Sequence, residues 1–163
     1  MKAICLTGFM GSGKTTIGTE LAERLNAPFI DTDELIEQTY KLSIPQIFST
    51  YGEQTFRHYE EETLKKVSRD NCVISTGGGI IERSANREQL KEYFTTIFLR
   101  TSFHEIEKRL ETDTTRPLWS KDVDSKRRLY EQRQPLYLEV ADIVVDTDGK
   151  STDEIVETIL TSM

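Results

Sequence analysis

Gly8-Phe9-Met10-Gly11-Ser12-Gly13-Lys14-Thr15 fits the spacing G-x-x-x-x-G-K-[ST], and residues of these types in this order can wrap the phosphates of a nucleotide. The glycines let the backbone curl until successive N–H groups point inward, where any side chain would block an anion. Lys14 would then reach the β- and γ-phosphates, and the Thr15 hydroxyl would ligate Mg²⁺. A dinucleotide fingerprint fails here, because Gly11-Ser12-Gly13 would require glycine or alanine where the chain has Thr16.

Further along, the chain offers acids and arginines that could serve a second ligand. Asp31-Thr32-Asp33 places two carboxylates at the end of a short apolar run; Thr32 or Asp33 could equally cap a following helix. Arg57 precedes Glu60 and Glu61 at helical spacing, so a surface ion-pair ladder is an even alternative to ligand binding. Gly77-Gly78-Gly79 follows another apolar run, and three glycines there imply a close backbone approach to a ligand. Arg116 lies among hydroxyls and acids, in a segment that reads as a mobile loop; it would suit a lid over phosphates, though on these residues alone a solvated loop arginine is the favoured reading. Arg133 interrupts an apolar helical stripe of Leu129, Leu136 and Tyr137, so it needs an anionic partner, either an internal acid or, the favoured reading, a ligand. His58 and His104 lack metal-ligand spacing and read as surface residues.

These groups must be carried by elements that bring them together. Residues 3–7 read as a buried strand before the glycine loop, and residues 16–25, with Ile17, Leu21, Ala22 and Leu25 at helical spacing, as the helix after it. That helix would turn its positive N-terminal end toward the phosphates. Strands follow at 29–31, 71–76, 96–100 and 143–145, and helices at 34–40, 43–67 with a break at Tyr51-Gly52, 84–94, 103–110, 124–140 and 152–160. Strands that alternate with helices predict an α/β fold, a parallel sheet covered on both faces. Ligands gather at the carboxyl ends of such strands, which places Asp31 and Asp33 on the same side as the glycine loop.

With 163 residues, 36% of them hydrophobic, the chain has length for one well-cored domain. A formal net charge of −7 argues against a general nucleic-acid or anionic-membrane surface. Cys5 and Cys72 sit in apolar runs and read as buried hydrophobes, and no disulfide framework or C-x-x-C site is present. The short apolar N-terminus runs straight into the glycine loop without a cleavage signal, and no apolar run approaches membrane-spanning length, so a cytoplasmic location is expected.

Taken in order, G-F-M-G-S-G-K-T, D-T-D, F-R-H-Y-E, G-G-G, T-R-P-L and R-Q-P-L-Y resemble the shikimate kinase family over essentially the whole chain. The resemblance implies a three-layer P-loop NTPase fold of the nucleoside monophosphate kinase kind. Its sheet would have five parallel strands in the order 2-3-1-4-5, with helices on both faces. It implies a single domain over residues 1–163, with a lid at 112–122 and a substrate-binding helical region at 33–61. The implied reaction moves the γ-phosphoryl group of ATP to the 3-hydroxyl of shikimate, with Mg²⁺. On this resemblance Gly11, Ser12, Gly13, Lys14, Thr15 and Thr16 hold the phosphates, and Thr15 and Asp31 serve the metal. Asp33 is the base and binds substrate hydroxyls. Arg57, Arg133, Gly78 and Gly79 bind the substrate, the two arginines through its carboxylate. Arg116 closes over ATP, and Arg109 stacks on adenine. Lys14, Asp33 and Arg116 form the catalytic set, and the expected working unit is a monomer.

Two positions depart from the family pattern. Lys41-Leu42 stands where the family often has glycine before Ser43-Ile44, a change of little expected consequence. The segment Asp146-Thr147-Asp148-Gly149-Lys150 has no proline of the kind expected near adenine, which argues against base contacts there. A regulatory GTPase would need N-K-x-D for guanine, which is absent, and the D-x-x-G at 146–149 reads as a turn. A gluconate-type or nucleoside-type kinase would have no need of two arginines aimed at one carboxylate.

Overall fold

A computed structural model describes residues 1–110 and 122–163. Five parallel strands, β1 (Ile4–Thr7), β2 (Phe29–Asp31), β3 (Val73–Ser75), β4 (Thr95–Arg100) and β5 (Ile143–Asp146), form one sheet in the order β2-β3-β1-β4-β5. The central strand β1 pairs Cys5 with Ile74 of β3 on one side and with Thr96 of β4 on the other.

Both faces of the sheet are covered, and the period of two along β1 sorts its side chains between them. Ile4 and Leu6 face a core with Ile17 and Leu21 of α1 (Lys14–Leu25) and Val156 and Ile159 of α8 (Thr152–Ser162). Ala3 and Cys5 face the other core, with Leu64 of α4 (Glu53–Lys66), Leu90 of α5 (Ser84–Tyr93), Ile106 of α6 (Phe103–Leu110) and Tyr137 of α7 (Val123–Val140). Cys5 and Cys72 are both buried free thiols in that second core. A smaller apolar cluster of Ile36, Ile47 and Phe56 joins α2 (Thr32–Tyr40), α3 (Ile44–Tyr51) and α4 beside the sheet.

Local chemistry explains the boundaries. Helix α1 starts two residues earlier than its apolar pattern suggests, at Lys14, because Gly13 adopts φ +91° and turns the chain directly from loop to helix. The cap of α2 is Asp31, whose side chain accepts from the Asp33 and Glu34 amides, so neither Thr32 nor Asp33 does the capping. The Thr32 hydroxyl instead accepts from the Gly77 amide at 3.2 Å, tying the start of α2 to the end of β3. Ser43 and Gln46 form a capping box at the start of α3.

Lys41 closes α2 in the left-handed region, with φ +58° and ψ +36°. That conformation is what glycine supplies without steric cost, so the departure at this position has a physical consequence after all. Between α3 and α4, Gly52 takes φ +87° and ψ +172°, a region open almost only to glycine.

Candidate active site

Two cavities open at the carboxyl ends of the strands, each of about 400 Å³. The first is lined by Gly11, Ser12, Gly13, Lys14, Thr15 and Thr16, by Asp31 at the end of β2, and by Arg109 of α6. The first turn of α1 has no side-chain cap, so its amides face the cavity as anion donors. Lys14 is buried, and its ammonium donates to the carbonyls of Gly8 at 2.8 Å and Phe9 at 3.1 Å. Those bonds hold the charge over the loop. The Thr15 hydroxyl donates to Asp31 Oδ2 at 3.4 Å, while Asp31 Oδ1 caps α2, so one carboxylate serves both the helix and the cavity. Arg109 Nη1 donates to the Gly11 carbonyl at 3.1 Å, which holds this guanidinium against the loop.

The second cavity is lined by Arg57 and Glu60 of α4, Gly78 and Gly79 after β3, and Arg133 of α7, with an apolar wall from Ile44, Pro45 and Phe48 of α3. Both arginines are buried. Arg57 donates from Nη1 to Glu60 Oε1 at 2.8 Å and from Nη2 to Glu53 at 3.3 Å. The expected partner Glu60 is therefore real, but the pair is internal and not a surface ladder, because α2 and the glycine run after β3 cover it. Glu61 turns instead to Lys65 and Arg83. Arg133 donates through Nε to Glu82 Oε1 at 2.8 Å, in the 3₁₀ turn Ile80–Glu82. Of the two readings, the internal acid is found, since Glu82 engages Nε, and the residue also lines the cavity.

The glycine run is explained by close approach to protein groups. A Cβ on Gly79 would fall on the Arg57 guanidinium, and one on Gly77 would come within 2.8 Å of both Asp33 Oδ1 and Glu60 Oε2. The Gly78 carbonyl accepts from the Tyr137 hydroxyl at 2.5 Å. The glycines let two carboxylates and a guanidinium crowd against the strand end.

Burial pushes the Glu60 carboxyl up to about 7; Arg57 pulls it down and the negative charge of Asp33 adds to the rise. Among the described residues, Arg57 Nε and Glu60 Oε2 are buried without a hydrogen-bond partner. Such atoms are where a polar ligand would be answered.

The cavities meet. Met10, Asp33, Gly77 and Gly78 belong to the linings of both. Asp33 therefore stands where the glycine-loop cavity joins the one lined by the two arginines. Arg116, and all of the lid expected at 112–122 but its last residue, Asp122, lie outside the residues the structure describes.

Several lining residues escaped sequence reasoning. Lys150, Thr152 and Ile155, at and after the end of the segment that follows β5, line the first cavity. The signal was available, since the loop after every strand of a parallel sheet emerges on the same edge. Glu37, Phe48 and Phe56 line the other cavity, and Glu82 supports Arg133. His58 lies on the exposed side of α4 with Glu61 and Glu62 close by, but Lys65 already meets both carboxylates.

The family model described as shikimate kinase matches residues 10–163. The chain belongs to the shikimate kinase family. It is 46% identical over 156 residues to the shikimate kinase of Bacillus cereus (strain G9842), covering 95% of this chain and 94% of that one. It is 41% identical over 163 residues to that of Thermodesulfovibrio yellowstonii. The solved shikimate kinase from Acinetobacter baumannii in complex with shikimate superposes with a TM-score of 0.95 at 37% identity, covering 99% of this chain and 92% of that one. That from Aquifex aeolicus vf5 gives 0.87 at 41% identity. A gluconokinase from Sinorhizobium meliloti 1021, at 19% identity and a TM-score of 0.54, shares the fold alone.

Family membership makes the chain an ATP-dependent kinase with an alcohol acceptor. The five-stranded order found here is that of a P-loop kinase sheet. Among the described residues, no helix is long and apolar enough to cross a membrane.

Proposed function

We propose that the two cavities are the halves of one phosphotransfer site, in which ATP enters the first and shikimate the second, and the γ-phosphoryl group passes to the 3-hydroxyl at Asp33. The observation that carries this is the shared wall: Asp33 lines both cavities, with Gly77 and Gly78 beside it. Phosphoryl transfer needs positioning and charge neutralisation more than covalent help, and this arrangement supplies both.

Gly11, Ser12, Gly13 and Thr16 hold the phosphates, and Lys14 leaves its loop carbonyls to neutralise charge on the transferring group. Mg²⁺ suits Thr15 and Asp31, because a hydroxyl and a carboxylate are hard oxygen donors of the kind that ion takes alongside phosphates and waters. When bound it neutralises phosphate charge. Asp33 accepts the proton of the attacking hydroxyl. Arg57 and Arg133 hold the substrate carboxylate, with Gly78 and Gly79 as the floor beneath it. Arg109 contacts the nucleotide, and Arg116 is assigned to the lid over ATP from its motif alone. The working unit is a monomer on the family resemblance, placed in the cytoplasm with its ATP and its part in making aromatic amino acids.

The test is a coupled ADP-release assay with shikimate and with its uncharged amide. Arg133→Lys keeps the charge but loses the planar fork, so the transition-state contact to shikimate should weaken by about 1 to 3 kcal/mol while the KM for ATP hardly moves. The amide should be a poor substrate for the wild type and should lose much less on mutation. An equal loss for acid and amide would reduce Arg133 to a strut for Glu82 and remove the carboxylate assignment.

A further inference from the structure

Each guanidinium that faces the second cavity already holds a protein carboxylate. Arg57 has Glu60 at 2.8 Å and Glu53 at 3.3 Å, and Arg133 has Glu82 at 2.8 Å. Asp33 and Glu37 of α2 line the same cavity, so five acids surround two arginines before any ligand arrives. An anionic substrate adds a further negative charge beside a carboxylate, Glu60, that is itself buried. Resting on the reading that this cavity takes the shikimate carboxylate, we propose that substrate binding draws a proton onto Glu60, so that Arg57 exchanges the Glu60 carboxylate for the substrate carboxylate as its ionic partner.

Glu60 is the acid suited to this exchange. It is 1% exposed, whereas the Glu53 and Glu82 side chains are 47% and 36% exposed and reach water. Glu37 is tied to the Ile44 amide at the start of α3. The groups facing Glu60 are Arg57 and Glu53 from its own helix, Asp33 and Glu37 from α2, Glu82 from the 3₁₀ turn and Arg133 from α7. Its Oε1 accepts from Arg57, while Oε2 is buried without a partner among the described residues.

Oε2 is thus the atom on which the proton would sit. It lies beside Gly77, and Asp33 Oδ1 borders the same spot. The proton comes from buffer, converts the carboxylate to a neutral acid, and returns to buffer when ligand leaves. Burial has already brought the carboxyl to about 7, so the exchange falls within the working range of pH.

Linkage turns this into a measurement. Calorimetry of shikimate binding at pH 7.5, in buffers with different ionisation enthalpies, should show uptake of more than half a proton per site. The Kd should rise with pH above 7.5, approaching tenfold per unit at the limit. The uncharged amide should bind with no uptake. Glu60→Gln imitates the neutral acid, so in that variant the uptake should vanish and the penalty relative to wild type should shrink as pH rises. If Glu60 only orients Arg57, Glu60→Gln would weaken binding by one factor at every pH, and the proposal would be overturned.

Uptake that persists in Glu60→Gln, or equal uptake with the amide, would overturn it as well. Should the variant fail to fold, the contrast between acid and amide in the wild type still decides. Shikimate binding without buffer dependence defeats the proton linkage alone. No shikimate binding at all would defeat the substrate reading beneath it.

Discussion

Gly79 has φ −95°, a backbone that any residue could adopt, and yet a Cβ there would fall on the Arg57 guanidinium. Gly79→Ala should therefore displace Arg57 and not strain the chain. The expected result is a loss of shikimate affinity of about 1 to 3 kcal/mol with ATP affinity unchanged, read from calorimetric titrations of each ligand. Lys14→Ala should abolish turnover while far-UV circular dichroism stays native, because the ammonium serves a transferred charge and contributes little apolar packing. Near-wild-type kcat in that variant would contradict the phosphate-loop assignment. Lys14, Asp33 and Arg133 were legible from the sequence because each is a charge at a telling offset: in a glycine loop, after a strand, within an apolar stripe. Glu60 was not legible as a buried group. Three residues from Arg57 it has the spacing of a surface pair, and it is the approach of α2 and of the glycine run after β3 to α4 that takes it out of water. The glycine run was legible as a close approach, but the approaching groups are Arg57, Asp33 and Glu60, which lie 17 to 44 residues from the glycines they meet.

Two non-regular positions bound the helices that wall the substrate side, and they call for opposite substitutions. Gly52, between α3 and α4, occupies φ +87° and ψ +172° with no atom within 4 Å of an added Cβ. Gly52→Ala meets no clash, so its cost is backbone strain alone, about 1 to 3 kcal/mol in urea unfolding. Lys41, at the end of α2, holds φ +58° with an exposed side chain. Lys41→Gly should raise stability by up to about 1 kcal/mol, since the left-handed strain removed exceeds the added freedom of the unfolded chain. A destabilised Lys41→Gly would mean that the Lys41 side chain contributes packing greater than the strain. At this scale the sequence was a good guide to element type, since Tyr51-Gly52 and Asn26-Ala27-Pro28 interrupt clear periodicities. Ends were less clear. The cap of α2 passed to Asp31 because its carboxylate reaches two amides at once, which the D-T-D spacing alone does not distinguish from a cap at Thr32 or Asp33.

For the molecule as a whole, alternating strands and helices predict a parallel sheet, but nothing in the strand residues dictates that β3 inserts between β1 and β2. That order came from the family resemblance, because a crossover helix can lead to either neighbour. The order matters for stability as well as function, since it is β3 inside the sheet that brings the glycine run over Glu60. In the unfolded chain the Glu60 carboxyl has the ordinary value of 4.5, and in the folded chain it rises to about 7. Below 4.5 both states hold the proton and the group adds no pH dependence. Between 4.5 and about 7 the unfolded chain gives up the proton while the folded chain keeps it, so stability falls as pH rises, by at most about 1.4 kcal/mol per unit. Above about 7 both states have lost it and the slope ends. Glu60→Gln ionises in neither state and lacks this slope, while every other acid contributes equally to both proteins. Urea unfolding of the pair at pH 5, 6, 7 and 8 should therefore show the stability of wild type relative to variant declining up to about pH 7 and then levelling. Saturating shikimate should move the levelling point to higher pH, because bound substrate holds the proton on Glu60. A gap independent of pH would mean that Glu60 is ionised throughout as the permanent counter-ion of Arg57.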